Sequence, residues 1–75
     1  MTSMTTKELE FSVFCIENIA DYLGIKGDKA YDLLAEKSDI LDTYIIPFYD
    51  PLHTQGRDYI VNELIEVMKE RGVTV

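Results

Sequence analysis

The chain has 75 residues, 47% of them hydrophobic and 28% charged, with 7 Lys plus Arg against 14 Asp plus Glu for a formal net charge of −7. That length makes one small domain with a single core, burying about 60% of the surface its unfolded chain exposes. The composition excludes a disordered tail, the want of a run of roughly 18 apolar residues excludes a membrane-spanning helix, the lone Cys15 excludes a disulfide scaffold, and the acidic balance argues against a nucleic-acid binder.

The opening Met1–Thr6 has no basic region, and Glu8, Glu10 and Glu17 interrupt the apolar stretch after it, so no secretion signal is expected. The expectation is a cytoplasmic protein whose residues 1–5 fray. Thr5 and Glu8 have the spacing of a capping box, in which hydroxyl and carboxylate each accept from the other residue's backbone N–H. A first helix is predicted from about Lys7 to Leu23. Leu9, Val13, Ile16, Ala20 and Leu23 form its apolar stripe, widened by Phe14 and Ile19, with Phe11 and Cys15 further round and Glu10, Glu17 and Asp21 opposite. Gly24 is its stop. Cys15 in such a pattern reads as a small buried hydrophobe in a reducing compartment.

A second, shorter helix starts at Gly27-Asp28, shows Ala30, Tyr31, Leu33 and Leu34 to the core, and stops near Lys37. Ser38 or Asp39 then caps a third over Ile40, Leu41, Tyr44 and Ile45, which Pro47 ends. Residues 47–56 are irregular, with one helical turn predicted to have Pro51 at its first position. Extended chain over Tyr44–Phe48 competes, because β-branched and aromatic residues cluster there. The last helix runs from Gln55 or Gly56 to Arg71, with Thr54 as N-cap and Gly72 as stop. Ile60, Leu64, Val67 and Arg71 form one stripe and Val61, Ile65 and Met68 the next, with Asp58 in the first turn and Lys69 and Arg71 in the last, as the helix dipole favours. The fold class is therefore all-α, a small bundle of two long amphipathic helices plus two or three short ones, in a single domain over residues 1–75.

Little in the chain announces chemistry. His53 is the only histidine, with Asp50 three residues before it and no second Cys to complete the three or four ligands a zinc site needs. Acid–base work needs an oriented substrate or nucleophile, and Leu52 and Thr54 beside it supply none. The imidazole is expected in a hydrogen-bond network at the entry to the last helix, with contact to a partner as the alternative. The carboxylates fall into patterns of solvated helix faces, Asp39 and Asp42 included. No Gly-Lys-Ser/Thr phosphate loop exists, and Ser3, Ser12 and Ser38 suggest no Ser-His-Asp set. No metal, cofactor or enzymatic activity is expected. Tyr44, Phe48, Tyr49 and Tyr59 surround the irregular segment, either packing with their phenol tips in water or forming a patch for a partner. Arg57 is the only nearby base, too little for a nucleic-acid stacking platform.

Phe14-Cys15-Ile16-Glu17-Asn18, the run Tyr44-Ile45-Ile46-Pro47-Phe48-Tyr49, and above all Leu52-His53-Thr54-Gln55-Gly56 followed by Tyr59-Ile60-Val61 resemble a family of short bacterial proteins, domain of unknown function family 3791. The resemblance spans about Leu9 to Arg71. It implies no enzymatic activity. It does imply a short cytosolic protein encoded beside other small proteins, some of which resemble ADP-ribosyltransferase-like toxins, and hence an antitoxin or accessory role. Together with the acidic charge, this makes a protein-interaction module the expected function, with Tyr49, His53, Thr54, Gln55 and Arg57 as the candidate partner-binding residues. The alternative is a helix-turn-helix DNA-binding regulator, against which Lys7, Lys26, Lys29, Lys37, Arg57, Lys69 and Arg71 are scattered. The broad apolar face of the first helix leaves room for a homodimer.

Overall fold

The computed structural model describes residues 5–73. Thr5 and Glu8 form the capping box: the Thr5 hydroxyl accepts from the Glu8 N–H at 3.1 Å, and the Glu8 carboxylate accepts from the Thr5 N–H at 3.0 Å. These bonds satisfy two of the backbone donors that a helix start leaves open. Thr5 is thus held at the head of helix α1 (Thr6–Leu23), while the fraying expected of residues 1–4 lies outside the described residues.

The predicted stripe on α1 holds in part: Ala20 is buried and Ile16 and Leu23 pack on the core, but its Leu9 and Val13 do not. The buried residues are Phe11, Ser12, Cys15, Ile19 and Ala20, whereas Leu9 is 51% and Val13 44% exposed. The helix is apolar around more than half its circumference, so periodicity alone did not select the buried side; packing against the helices at Gly27–Tyr31 and Arg57–Glu70 did. Ser12 can enter the core because its hydroxyl donates to the Glu8 carbonyl at 2.8 Å, which removes the cost of an unpaired buried polar group.

Gly24 ends α1 with φ +69°. The Ile25 N–H reaches back to the Ala20 carbonyl at 2.9 Å and the Gly24 N–H to the Asp21 carbonyl at 3.3 Å, the paired bonds of a Schellman cap. Ile25 then packs on the core.

Helix α2 (Gly27–Tyr31) continues without a break into a π-helical turn, π1 (Asp32–Glu36), closed by the Lys37 N–H on the Asp32 carbonyl at 2.8 Å. Ser38 joins this turn to the next: its hydroxyl donates to the Leu33 carbonyl at 2.7 Å and accepts from the Ile40 N–H at 3.4 Å. The predicted third helix is a second wide turn, π2 (Leu41–Ile45), with the Ile46 N–H on the Leu41 carbonyl at 3.1 Å. The competing extended conformation at 44–48 is overturned. The Phe48 N–H closes on the Tyr44 carbonyl at 3.0 Å, a bond between residues four apart that an extended strand, rising about 3.3 Å per residue, cannot make.

Helix α3 (Tyr49–Leu52) is the single turn expected, but Pro51 is its third residue, not its first. The position is still allowed, since the first turn needs no N–H there. Helix α4 (Arg57–Glu70) begins after an extended Gly56 that provides no side-chain cap. The expected N-cap, Thr54, belongs to the preceding turn: its hydroxyl donates to the Pro51 carbonyl at 3.0 Å. α4 buries Ile60, Val61, Leu64, Val67 and Met68. Arg71, assigned to the same stripe, is exposed and its guanidinium donates to the Thr43 hydroxyl. Gly72, φ +72°, repeats the cap of Gly24, with the Val73 N–H on the Met68 carbonyl at 2.8 Å. Thr74 and Val75, expected to trail off, lie outside the described residues.

The result is the all-α bundle expected, with no strand among the described residues. α1 packs on α2 and α4, and Cys15, Ile19, Ala30, Leu34, Ile40, Ile45 and Leu64 fill the centre. The radius of gyration, 11.3 Å, is that of a compact chain of this length, about 11 Å.

The two glycine environments separate by substitution. A Cβ at Gly24 meets nothing within 4 Å, so its cost is that of the left-handed backbone alone. Gly24→Ala is expected to lower stability by about 1 kcal/mol. Gly27→Ala, equally unobstructed and at an ordinary φ, should be neutral or stabilise by up to about 1 kcal/mol. Urea unfolding midpoints read by circular dichroism check both.

Candidate functional site

The short helix α3 gives the surface its shape. Its one turn sets Tyr49 and His53 four residues apart, on the same side, and their rings stack at 4.4 Å with planes 5° apart. Tyr49 meets Phe11 of α1 edge-on at 5.4 Å and 80°. Phe11 stacks in turn on Phe14, one turn along α1, at 6.2 Å. A row of four rings, Phe14–Phe11–Tyr49–His53, thus begins on the exposed side of α1, dips into the core at Phe11, and emerges at an exposed imidazole. Both observed ring geometries, offset stacks and an edge contact, are ones the aromatic quadrupole favours.

Arg57, the first residue of α4, reaches back across α1. Its Nε donates to Asn18 Oδ1 and its Nη2 lies 3.0 Å from Asp21 Oδ2, with Asp58 Oδ1 at 3.5 Å from Nη1. Asn18 is itself fixed, donating through Nδ2 to the Phe14 carbonyl at 2.7 Å. Asp21 sits in the last turn of α1, where the helix dipole disfavours a carboxylate and that turn holds no basic residue to offset it. Arg57 supplies the missing cation from a different helix.

Of the sequence-derived candidates, Tyr49 and Arg57 are brought against α1, and His53 stacks on Tyr49. Thr54 and Gln55 are exposed on the turn between α3 and α4, the first bound to Pro51 and the second through its N–H to the Leu52 carbonyl at 2.9 Å. The network expected for His53 is replaced by the ring stack; among the described residues its imidazole has no hydrogen-bond partner. Phe11, Phe14, Asn18 and Asp21 were missed. They recur at steps of three, four and three, a second stripe of α1 beside the one the apolar pattern emphasised.

The other titratable groups act as packing elements. Burial pushes the Cys15 thiol up from 9.0 to about 12, so at neutral pH it is a protonated hydrophobe. Tyr44 is raised by its own burial and then by Glu63, Tyr59 and Glu70; Tyr59 is raised by its hydrogen bond to Glu63. Both phenols therefore remain donors at neutral pH. Among the described residues no three His, Cys, Asp or Glu side chains are grouped to hold a metal ion, and no helix is long and apolar enough to cross a membrane.

The model of the family described as "Protein of unknown function (DUF3791)" matches residues 10–71. The chain belongs to that family. No curated protein and no solved structure matches this DUF3791 chain. Three segments that carry the resemblance meet in the DUF3791 fold: Phe14 and Asn18 of α1, Tyr49, and His53 lie in one cluster of contacts, with Arg57 beside them.

Two expectations follow from this geometry. Below pH 9 the Cys15 thiol is protonated in both folded and unfolded chains, and its contribution to stability is complete. Above pH 9 the unfolded chain releases the proton while the folded one holds it up to about 12, so stability falls as pH rises through that window. Urea unfolding of wild type and Cys15→Ala at pH 8 and pH 10.5 should show a larger loss in the wild type. Separately, a double-mutant cycle of Asp21→Ala and Arg57→Ala should return a coupling of about 0.2–1 kcal/mol, the range of exposed pairs, shrinking in 1 M salt.

Proposed function

We propose that this DUF3791 protein is a cytoplasmic protein-interaction module, an adaptor or antitoxin-like partner of another small protein, with no catalytic step of its own. The observation that carries the reading is the ring row from Phe14 to His53, an aromatic surface anchored in the core at one ring and open at both ends. Tyr and Arg are the residues interfaces use most, because each presents a large stiff contact with a polar tip. Arg57 is already held by Asn18 and Asp21, so less side-chain freedom is lost when a partner binds. The net charge of −7 steers association towards a basic protein and makes it salt-sensitive. The resemblance to proteins encoded beside ADP-ribosyltransferase-like toxins supports the same reading.

A tagged pull-down from the native host, with nuclease and at low and high salt, tests it by mass spectrometry. One dominant, salt-sensitive protein is expected, lost on His53→Ala although the helical circular-dichroism signal persists. Recovery of nucleic acid alone when nuclease is omitted would replace this reading with the helix-turn-helix regulator.

A further inference from the structure

Among the described residues no element covers the outward side of α1. Leu9 and Val13 are about half exposed, and Phe14 is 37% exposed. At 3.6 residues per turn, these three and Glu10, Glu17 and Asp21 share one side of the helix. Leu9 and Val13 form one edge, the three carboxylates run down the middle, and Phe14 forms the other edge. All six are exposed. No Lys or Arg occurs from Glu8 to Ile25. Among the described residues Asp21 is paired with Arg57, while Glu10 and Glu17 have no ion-pair partner.

We propose that this side of α1 docks a basic amphipathic helix of the partner protein, a deepening of the interaction reading above. The argument is charge complementarity over an apolar base. Glu10 and Glu17 are seven residues apart, about 10.5 Å along the axis. A packed helix with Lys or Arg at the same heptad spacing meets both, while its apolar flank covers Leu9 and Val13 and the aliphatic stems of its basic residues reach across to Phe14. A second copy of this chain is the wrong occupant. It would bring the same carboxylates and another −7 charges to the contact, and like charges in juxtaposition oppose association. An anionic membrane surface is repelled for the same reason. Phe14 joins this side to the ring row, so one partner helix lying along α1 runs up to Tyr49 and His53.

The test is an NMR titration of the full chain with a synthetic amphipathic peptide carrying Leu at heptad a and d positions and Lys elsewhere. A matched peptide with Glu in place of Lys is the control. The Lys peptide is expected to shift amides of residues 9–21, to lose binding in high salt, and to bind Leu9→Ser/Val13→Ser about tenfold more weakly. Both positions are exposed, and circular dichroism confirms that the variant is folded. Shifts spread over other acidic surfaces, or unchanged affinity of the variant, would mean general charge attraction and overturn the proposal. Shifts at residues 9–21 on concentrating the protein without peptide would assign the side to self-association instead. If the native partner is captured by Leu9→Ser/Val13→Ser but not by His53→Ala, the interaction reading stands and the docking proposal alone fails.

Discussion

Burying Phe11, Cys15, Ile19 and Ala20 orients α1, and that orientation decides what the molecule presents to solvent. With Cys15 and Ile19 fully enclosed, Phe11 comes to the rim of the core, where Tyr49 can reach its edge. Asn18 and Asp21 come to the side where α4 begins, within reach of Arg57. Leu9, Val13, Glu10 and Glu17 are left outside. A rotation of α1 by one residue would exchange these roles, because an α-helix turns about 100° per residue. The burial of one side of one helix thus sets both the aromatic row and the acidic outward side.

The stretch between the long helices closes the core by a different device. Two π-helical turns, π1 and π2, are linked through the Ser38 hydroxyl, which bonds the Leu33 carbonyl within π1 and the N–H of Ile40, the residue just before π2. Wide turns of this kind are rare and have weaker intrinsic geometry than α-turns. Here they are stabilised by what they bury: Leu34, Ile40 and Ile45 have no exposed surface. The backbone gives up regular hydrogen-bond spacing so that apolar side chains from a short segment all point inward.

Local chemistry was readable and long-range choice was not. The Thr5–Glu8 box and the Gly24 and Gly72 stops depend on residues within six positions of one another, and each formed where the sequence indicates. The buried side of α1 depends on elements up to fifty residues away, and a helix apolar over more than half its girth offers no internal preference. Thr54 failed as a cap for a related reason. The helix starts at Arg57 with Gly56 in the N-cap position, so the Thr54 hydroxyl stays in the preceding turn, where it donates to the Pro51 carbonyl. Pro51 itself was placed in the right turn but at the wrong position. At the site, Tyr49, His53 and Arg57 were legible because aromatics and the lone histidine concentrate there. Phe14, Asn18 and Asp21 were not, since they lie more than thirty residues earlier in the chain and become part of the surface only when α3 and α4 fold onto α1.

The wide turns also bear on how this chain can change length. A π-turn is an α-turn that has taken in one residue more, with the bond reaching to the fifth neighbour instead of the fourth. The spans Asp32–Glu36 and Leu41–Ile45 each hold such a residue, the first running on directly from α2 and the second leading into the turn before α3. Between α2 and α3, then, the backbone stores slack in these two turns as well as in the short links beside them. Losing a residue there tightens a turn to ordinary α geometry and swings the side chains that follow it, Ser38 among them, to a new heading. Insertions and deletions in this segment would act as adjustments of angle between packed helices, where in an ordinary loop they would act only on its reach.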